Sequence, residues 1–173
     1  MGAGKSSVGR CLNRRTSLAL QDMDEIVAAK FGMSIAEVFA ARGEKQFREA
    51  ETEALRRIRT EEQTIIITGG GIVLRRENVE ILTSQAVIVW LDADEETLFA
   101  RAALEKNRPL LQSRNRRKAF SQILAARRPL YAKIADIRVD TSALTAEESA
   151  VAILAKLRRM NLKTKSSIRP KLS

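Results

Sequence analysis

A glycine-rich segment at the start of the chain restricts the possible folds more than any other feature. Residues 1–7 read MGAGKSS, and Gly4, Lys5 and Ser6 match the end of the phosphate-binding pattern G-x-x-x-x-G-K-[ST]. That pattern joins a strand to a helix whose N-terminus faces phosphate, which predicts a helix from Lys5 to Arg15. The first glycine of the pattern and its strand would precede Gly2. We therefore expect the first strand to be missing, and a chain that begins here to have low stability and weak activity.

Strand-like and helical patterns alternate along the rest of the chain. Short apolar runs predict strands at 17–20, 64–68, 86–91 and 137–140. Helix starts are indicated by capping pairs, which are Ser34 with Glu37, Asp92 with Glu95, and Thr145 with Glu148. Strands separated by helices predict an α/β fold, a parallel sheet with helices on both faces. We expect one domain over residues 1–160, followed by a basic tail over 161–173 without regular structure.

The composition excludes several classes of protein. The chain of 173 residues contains no histidine, so a general base must be a carboxylate, a lysine or a tyrosine. Its single cysteine, Cys11, cannot form an internal disulfide, which fits a reducing cytoplasm, and we expect it to pack inside a helix interface. The longest apolar run, 86–91, is far too short to span a membrane, and we expect no signal peptide ahead of the glycine-rich segment. We therefore expect a cytoplasmic protein.

Positive charge is concentrated in two segments. The net charge is +10, and residues 106–135 carry nine Lys and Arg but no acidic residue. Residues 149–173 carry seven Lys and Arg, again without an acidic residue. Two local blocks indicate anionic small ligands and a solvated tail more than a surface for nucleic acid.

Candidate site residues follow the predicted strands, where ligands of parallel sheets bind. They are the loop Gly4–Ser6, the pair Asp22 and Asp24, the triplet Gly69–Gly71, and Asp140. In a phosphate-binding loop, the lysine bridges β- and γ-oxygens and the serine ligates Mg²⁺. One aspartate of the pair could hold the magnesium water shell while the other faces an acceptor; the alternative is a turn that caps a helix. The glycines either admit a ligand close to the backbone or form a flexible turn.

Six motifs occur in a fixed order, and together they resemble the shikimate kinase family. They are GKS at 4–6, DMD at 22–24, GEKQFR at 43–48, GGG at 69–71, RPLL at 108–111 and RRPLY at 127–131. The resemblance extends from Met1 to about Met160. It implies a P-loop fold like that of nucleoside monophosphate kinases, with a mobile lid at about 107–118, and usually a monomer.

The resemblance also implies a reaction and a role for each motif residue. The γ-phosphoryl group of ATP would pass to a hydroxyl of shikimate, giving 3-phosphoshikimate and ADP for aromatic amino acid biosynthesis. Lys5, Asp24 and Arg108 would be catalytic, and Ser6 and Asp22 would hold Mg²⁺. The residues implied to bind ATP are Gly2, Ala3, Gly4, Lys5, Ser6, Ser7, Arg101 and Arg108, and those implied to bind shikimate are Asp24, Arg48, Gly70, Gly71 and Arg127. Residues 138–141 would lie near the adenine. The implied partners are ATP and shikimate, without nucleic acid or membrane.

Three alternatives stay open at this point. A kinase for another small acceptor, such as gluconate or a nucleotide, would share Lys5 and Ser6. A truncated, weakly active or inactive P-loop homologue would bind nucleotide without turnover. A basic nucleic-acid-binding protein fits least well, since only five Phe, one Tyr and one Trp are available for stacking on bases.

Overall fold

A computed structural model of the chain describes residues 2–58, 63–104 and 115–167, with only the backbone for 161–167. The helices are α1 Lys5–Thr16, α2 Met23–Phe31, α3 Ile35–Arg56, α4 Arg76–Gln85, α5 Glu95–Ala103, α6 Arg116–Ile134 and α7 Ala146–Ser167. The strands are β1 Ala19–Asp22, β2 Thr64–Ile67, β3 Val89–Asp92 and β4 Ile137–Asp140. This alternation confirms the predicted α/β class. No helix within the described ranges is long and apolar enough to cross a membrane.

The strands form two parallel pairs. In one pair Ala19 lies opposite Thr64, so β1 runs alongside β2, and in the other Val89 lies opposite Ile137, so β3 runs alongside β4. The sequence predicted a single parallel sheet, and the structure differs because no strand within the described residues pairs with both β2 and β3. The expected absence of a first strand concerns residues ahead of Gly2, which the structure does not describe. That absence, and the low stability expected from it, therefore stay predictions.

Three clusters of buried side chains hold the helices against these strands. The first joins α2, α3 and α4, the second joins the start of the chain to α5 and α6, and the third joins α1, β4 and α7. Cys11 is buried in the third cluster, which confirms its predicted packing role. The partly buried Ile66 of β2 packs against the first cluster, and Leu91 of β3 packs against the second and the third.

Helix boundaries agree with two of the three predicted caps. Ser34 and Glu37 form a full capping box at α3, and Thr145 and Glu148 make the same reciprocal bonds at α7. The predicted cap at Asp92 is wrong, because Asp92 ends β3 and its carboxylate binds Arg128 and Arg138 instead. The cap of α5 is Asp94, which accepts from the Thr97 amide at 2.8 Å.

Two other features differ from the sequence predictions. Helix α2 was not predicted, and it begins directly after β1 with Asp22 as its cap. Helix α7 continues to Ser167, whereas the sequence predicted no regular structure over 161–173.

Helix α3 consists of two helical parts that meet at a kink. The residue at the kink is Gly43, which is non-helical at φ 76° and ψ 168°.

Candidate active site

A cavity of about 500 Å³ opens at the carboxyl ends of β1 and β2. The start of the chain, both parts of the kinked helix α3, the loop after β2 and helix α6 all contribute to its walls. Thirteen of the predicted site residues line it, and they are Gly2, Ala3, Gly4, Lys5, Ser6, Ser7, Asp22, Asp24, Arg48, Gly69, Gly70, Gly71 and Arg127. Segments that lie up to 125 positions apart in the sequence, from Gly2 to Arg127, therefore meet at one place.

Two glycines shape the loop that precedes α1. Gly4 caps the helix in the left-handed region, at φ 75°, where most other residues are strained. Gly2 also has a positive φ, and a Cβ there would lie 2.3 Å from the carbonyl oxygen of Leu98. The loop can therefore pass close to α5 and present the first turn of α1 to the cavity. The first N–H groups of a helix have no partners within the helix, so this end suits an anion such as phosphate.

Asp22 connects this loop to helix α2. Its Oδ1 accepts from the Asp24 amide at 3.0 Å as the cap of α2, which confirms the turn-and-cap interpretation of the aspartate pair. Its Oδ2 accepts from the Ser6 hydroxyl at 3.3 Å. The capping role does not exclude a ligand role, because the second oxygen lies beside Ser6 at the cavity wall. Asp24 lies in the first turn of α2 and lines the same cavity.

Arg48 is held in place by two carboxylates and by one aromatic ring. Its Nη1 donates to Glu51 Oε2 at 2.8 Å, and its Nη2 donates to Glu44 Oε1 at 3.2 Å. The guanidinium carbon lies 5.0 Å from the centre of the Phe47 ring. Only 8% of Arg48 is exposed, and its guanidinium is held at the cavity wall by these contacts. A Cβ at Gly71 would lie 2.2 Å from Arg48 Nη2, so this position of the guanidinium requires a glycine.

Glu51 was not identified from the sequence. Its side chain is completely buried, and its Oε1 has no hydrogen-bond partner within the described residues. Burial raises the pKa of Glu51, and the nearby Arg48 charge only partly opposes this. The signal that could have identified it is its position three residues after Arg48, which places both on one helix face.

Arg127 brings a second buried guanidinium to the cavity. It lies on α6 and is 8% exposed, like Arg48. Two guanidinium groups on one wall suit a planar anion such as a carboxylate, which arginine binds with paired hydrogen bonds.

Three predicted residues do not belong to this cavity as described. Arg101 donates to the carbonyl oxygen of Thr141 at 2.9 Å, so it lies beside the 138–141 segment, and its contact with adenine stays a prediction. Arg108 lies outside the described residues. Asp140 accepts from the Ser142 amide at 2.9 Å, away from the cavity, and so does not join the other strand-end residues.

An apolar wall of the cavity was also missed by sequence reasoning. The rings of Phe39 and Phe47 lie 4.6 Å apart between centroids at an angle of 38°, and Ile35 completes the wall. Phe39 and Phe47 lie on opposite sides of Gly43, so their contact depends on the kink. A recognisable signal was the glycine between two apolar helical stripes.

Comparison with known proteins gives one consistent result. The family model described as shikimate kinase matches residues 1–158. A shikimate kinase of Thermodesulfovibrio yellowstonii is 40% identical over 161 residues, which are 93% of this chain and 92% of that protein. One of Moorella thermoacetica is 44% identical over 141 residues, 82% of this chain and 80% of that protein.

Solved structures show the same similarity. A shikimate kinase from Acinetobacter baumannii in complex with shikimate superposes with a TM-score of 0.89 at 33% identity, covering 94% of this chain and 90% of that one. The shikimate kinase from Aquifex aeolicus superposes with a TM-score of 0.79 at 34% identity, covering 94% of each chain.

Proposed function

The chain belongs to the shikimate kinase family, and we propose that it transfers the γ-phosphoryl group of ATP to a hydroxyl of shikimate, giving 3-phosphoshikimate and ADP. One observation carries this proposal. A single cavity joins a glycine-rich helix start, suited to phosphate, to two buried arginines, Arg48 and Arg127, suited to a carboxylate. A kinase for an uncharged acceptor would have no use for the two arginines.

The phosphate end of the cavity is assigned to ATP. Backbone N–H groups of residues 2–7 would surround the β-phosphate, and Lys5 would bind β- and γ-oxygens. Ser6 and Asp22 would hold Mg²⁺, and their contact at 3.3 Å supports this, since it places two hard oxygen ligands side by side. Bound there, Mg²⁺ would offset negative charge on the phosphate oxygens. Arg101 would lie against the adenine, next to Thr141.

The opposite end is assigned to shikimate. Arg48 and Arg127 would bind its carboxylate, and the N–H groups of Gly70 and Gly71 would bind the same substrate. Asp24 lines the same cavity, and its carboxylate would orient the acceptor hydroxyl and take its proton. In the transfer, the acceptor oxygen forms a bond to the γ-phosphorus. The bond from that phosphorus to the bridging oxygen breaks, and ADP leaves with the electron pair.

The proposal also covers the exclusion of water from the reaction and the location and oligomeric state of the enzyme. Arg108 would reach the transferring phosphoryl group from a lid that excludes water, which otherwise competes with the acceptor. We place the enzyme in the cytoplasm as a monomer that binds neither nucleic acid nor membrane. A single cysteine and the absence of histidine-based chemistry are compatible with this assignment.

The test is an acceptor panel in a coupled assay for ADP release. ATP and Mg²⁺ are supplied with shikimate, with gluconate, or with no acceptor. We expect ADP release to depend on shikimate and to exceed the rate with gluconate by at least about 100-fold, because gluconate, although it also carries a carboxylate, is a flexible open chain that loses more conformational freedom when its hydroxyl is held beside ATP. Equal rates with both acceptors, or with none, would contradict the proposal.

A further inference from the structure

Tyr131, the last residue of the RRPLY motif, makes a direct hydrogen bond to the glycine triplet. Its hydroxyl donates to the carbonyl oxygen of Gly70 at 2.5 Å, although the two residues are separated by 61 positions in the chain. Tyr131 is not among the residues that line the cavity in the described part of the chain, so it acts on the triplet from behind.

This contact fixes the direction of a substrate-facing amide. The peptide bond between Gly70 and Gly71 is trans, so the N–H of Gly71 points opposite to the carbonyl of Gly70. Because Tyr131 binds that carbonyl, the Gly71 amide points away from Tyr131, and Gly71 itself lines the cavity. The carbonyl groups of Gly69 and Gly71 are used within the turn that follows, where they accept from Ile72 and Leu74. Of the three carbonyl groups of the triplet, that of Gly70 is therefore the one bound by a residue outside the turn, Tyr131.

The same contact connects the two arginines of the cavity. Gly71 lies against the Arg48 guanidinium, closely enough to exclude a Cβ, so a shift of the triplet would move Arg48. Arg127 lies one turn before Tyr131 on α6, on the same helix face. A continuous set of contacts therefore runs from Arg127 through Tyr131 and the triplet to Arg48.

The ring of Tyr131 is itself held by the sheet. Its centroid lies 5.9 Å from that of Trp90 on β3, and the guanidinium of Arg138 covers Trp90 at 4.8 Å. Burial raises the pKa of the Tyr131 hydroxyl, while the nearby Arg127 charge lowers it. The hydroxyl therefore remains a hydrogen-bond donor at neutral pH.

We propose that Tyr131 is a positioning residue for the acceptor carboxylate: its hydroxyl fixes the Gly70–Gly71 backbone, and with it Arg48, at a set distance from Arg127. This inference rests on the proposed function, because it assigns Tyr131 a part in binding shikimate. Tyr131 does not contact the reacting atoms, so its effect should appear in the binding of one substrate only.

The test is the variant Tyr131→Phe, which retains the ring against Trp90 and removes only the hydroxyl. We expect the KM for shikimate to rise roughly 5- to 10-fold, as for the loss of one hydrogen bond, while kcat and the KM for ATP change less than about twofold. The matched control is Trp90→Phe, which weakens the packing on Tyr131 but leaves its hydroxyl. That control should lower the Tm and leave the KM for shikimate within about twofold.

The outcomes separate this inference from the proposed function. Shikimate turnover by the unaltered chain together with an unchanged KM in Tyr131→Phe would overturn the positioning role alone. If the KM for shikimate and the KM for ATP both rose in Tyr131→Phe, and Trp90→Phe gave the same rise, Tyr131 would be only a packing residue. Absence of shikimate-dependent turnover in the unaltered chain would overturn the proposed function, and the positioning role with it.

Discussion

Individual residues were predictable where a short motif carries the chemistry and not where packing creates it. Lys5, Asp24, Arg48 and Arg127 stand in recognisable motifs, and all four line the cavity. Glu51 has no such motif, because its importance comes from burial against the glycine triplet. A Cβ at Gly69 would lie 3.0 Å from Glu51 Oε1, a closeness that only the folded chain reveals.

The burial of Glu51 leads to a prediction about pH. Its pKa is raised in the folded protein, so the folded state binds a proton at Glu51 more readily than the unfolded state does. Its contribution to stability is therefore complete below the ordinary glutamate pKa and is lost as the pH rises through the raised one. Glu51→Gln cannot titrate, so the free energy of unfolding of the unaltered chain should fall relative to this variant as the pH rises above the ordinary glutamate pKa of about 4.3.

Urea unfolding at a series of pH values measures this difference. Glu49→Gln is the matched control, since Glu49 is exposed on the same helix and should leave the pH dependence of the unaltered chain in place. If the free energy of unfolding changed with pH in the same way for Glu51→Gln and for the unaltered chain, burial would not raise the pKa of this carboxyl, and the prediction would be wrong.

At the scale of elements, the sequence predicted which strands exist better than it predicted where each strand begins and ends. Strand β1 was predicted at 17–20 and lies at Ala19–Asp22, and β3 was predicted at 86–91 and lies at Val89–Asp92. Apolar composition marks a run of residues, whereas the strand itself is set by its pairing with a neighbour. Helix α2 has no clear apolar period and only nine residues, so its capping aspartate was the one available signal.

The kink in α3 gives the element-scale prediction. Gly43 has a positive φ that most side chains disfavour, and it joins the part of the helix with Phe39 to the part with Phe47 and Arg48. Gly43→Ala should lower the free energy of unfolding by about 1–3 kcal/mol through backbone strain. It should also raise the KM for shikimate several-fold, because the apolar wall and Arg48 would no longer keep their relative positions.

Gly32→Ala is the control for backbone strain alone. Gly32 also has a positive φ, 65°, and a Cβ would meet no atom within 4 Å at either glycine. Gly32 ends α2 and does not line the cavity, so its variant should lose stability and keep its KM for shikimate. An equal rise in KM for both variants would mean that the kink has no specific role in the site; thermal unfolding and steady-state kinetics supply both quantities.

At the scale of the whole molecule, alternation of elements predicted the α/β class and the edge at which the site forms. The division into two strand pairs was not predicted, because sequence patterns identify strands but not which of them hydrogen-bond to each other. Some of the positively charged side chains lie outside the site and have a structural role. Arg128 and Arg138 both bind the buried carboxylate of Asp92, and so serve to join α6 and β4 to β3.

The most direct test of the central claim is to identify the phosphorylated product. The chain is incubated with ATP, Mg²⁺ and shikimate, and the mixture is followed by phosphorus NMR and mass spectrometry. We predict that one 3-phosphoshikimate forms for each ADP, with no ester on another hydroxyl. ADP that accumulates with free phosphate and without a shikimate ester would contradict the account, because it would show that the cavity does not hold the acceptor beside ATP.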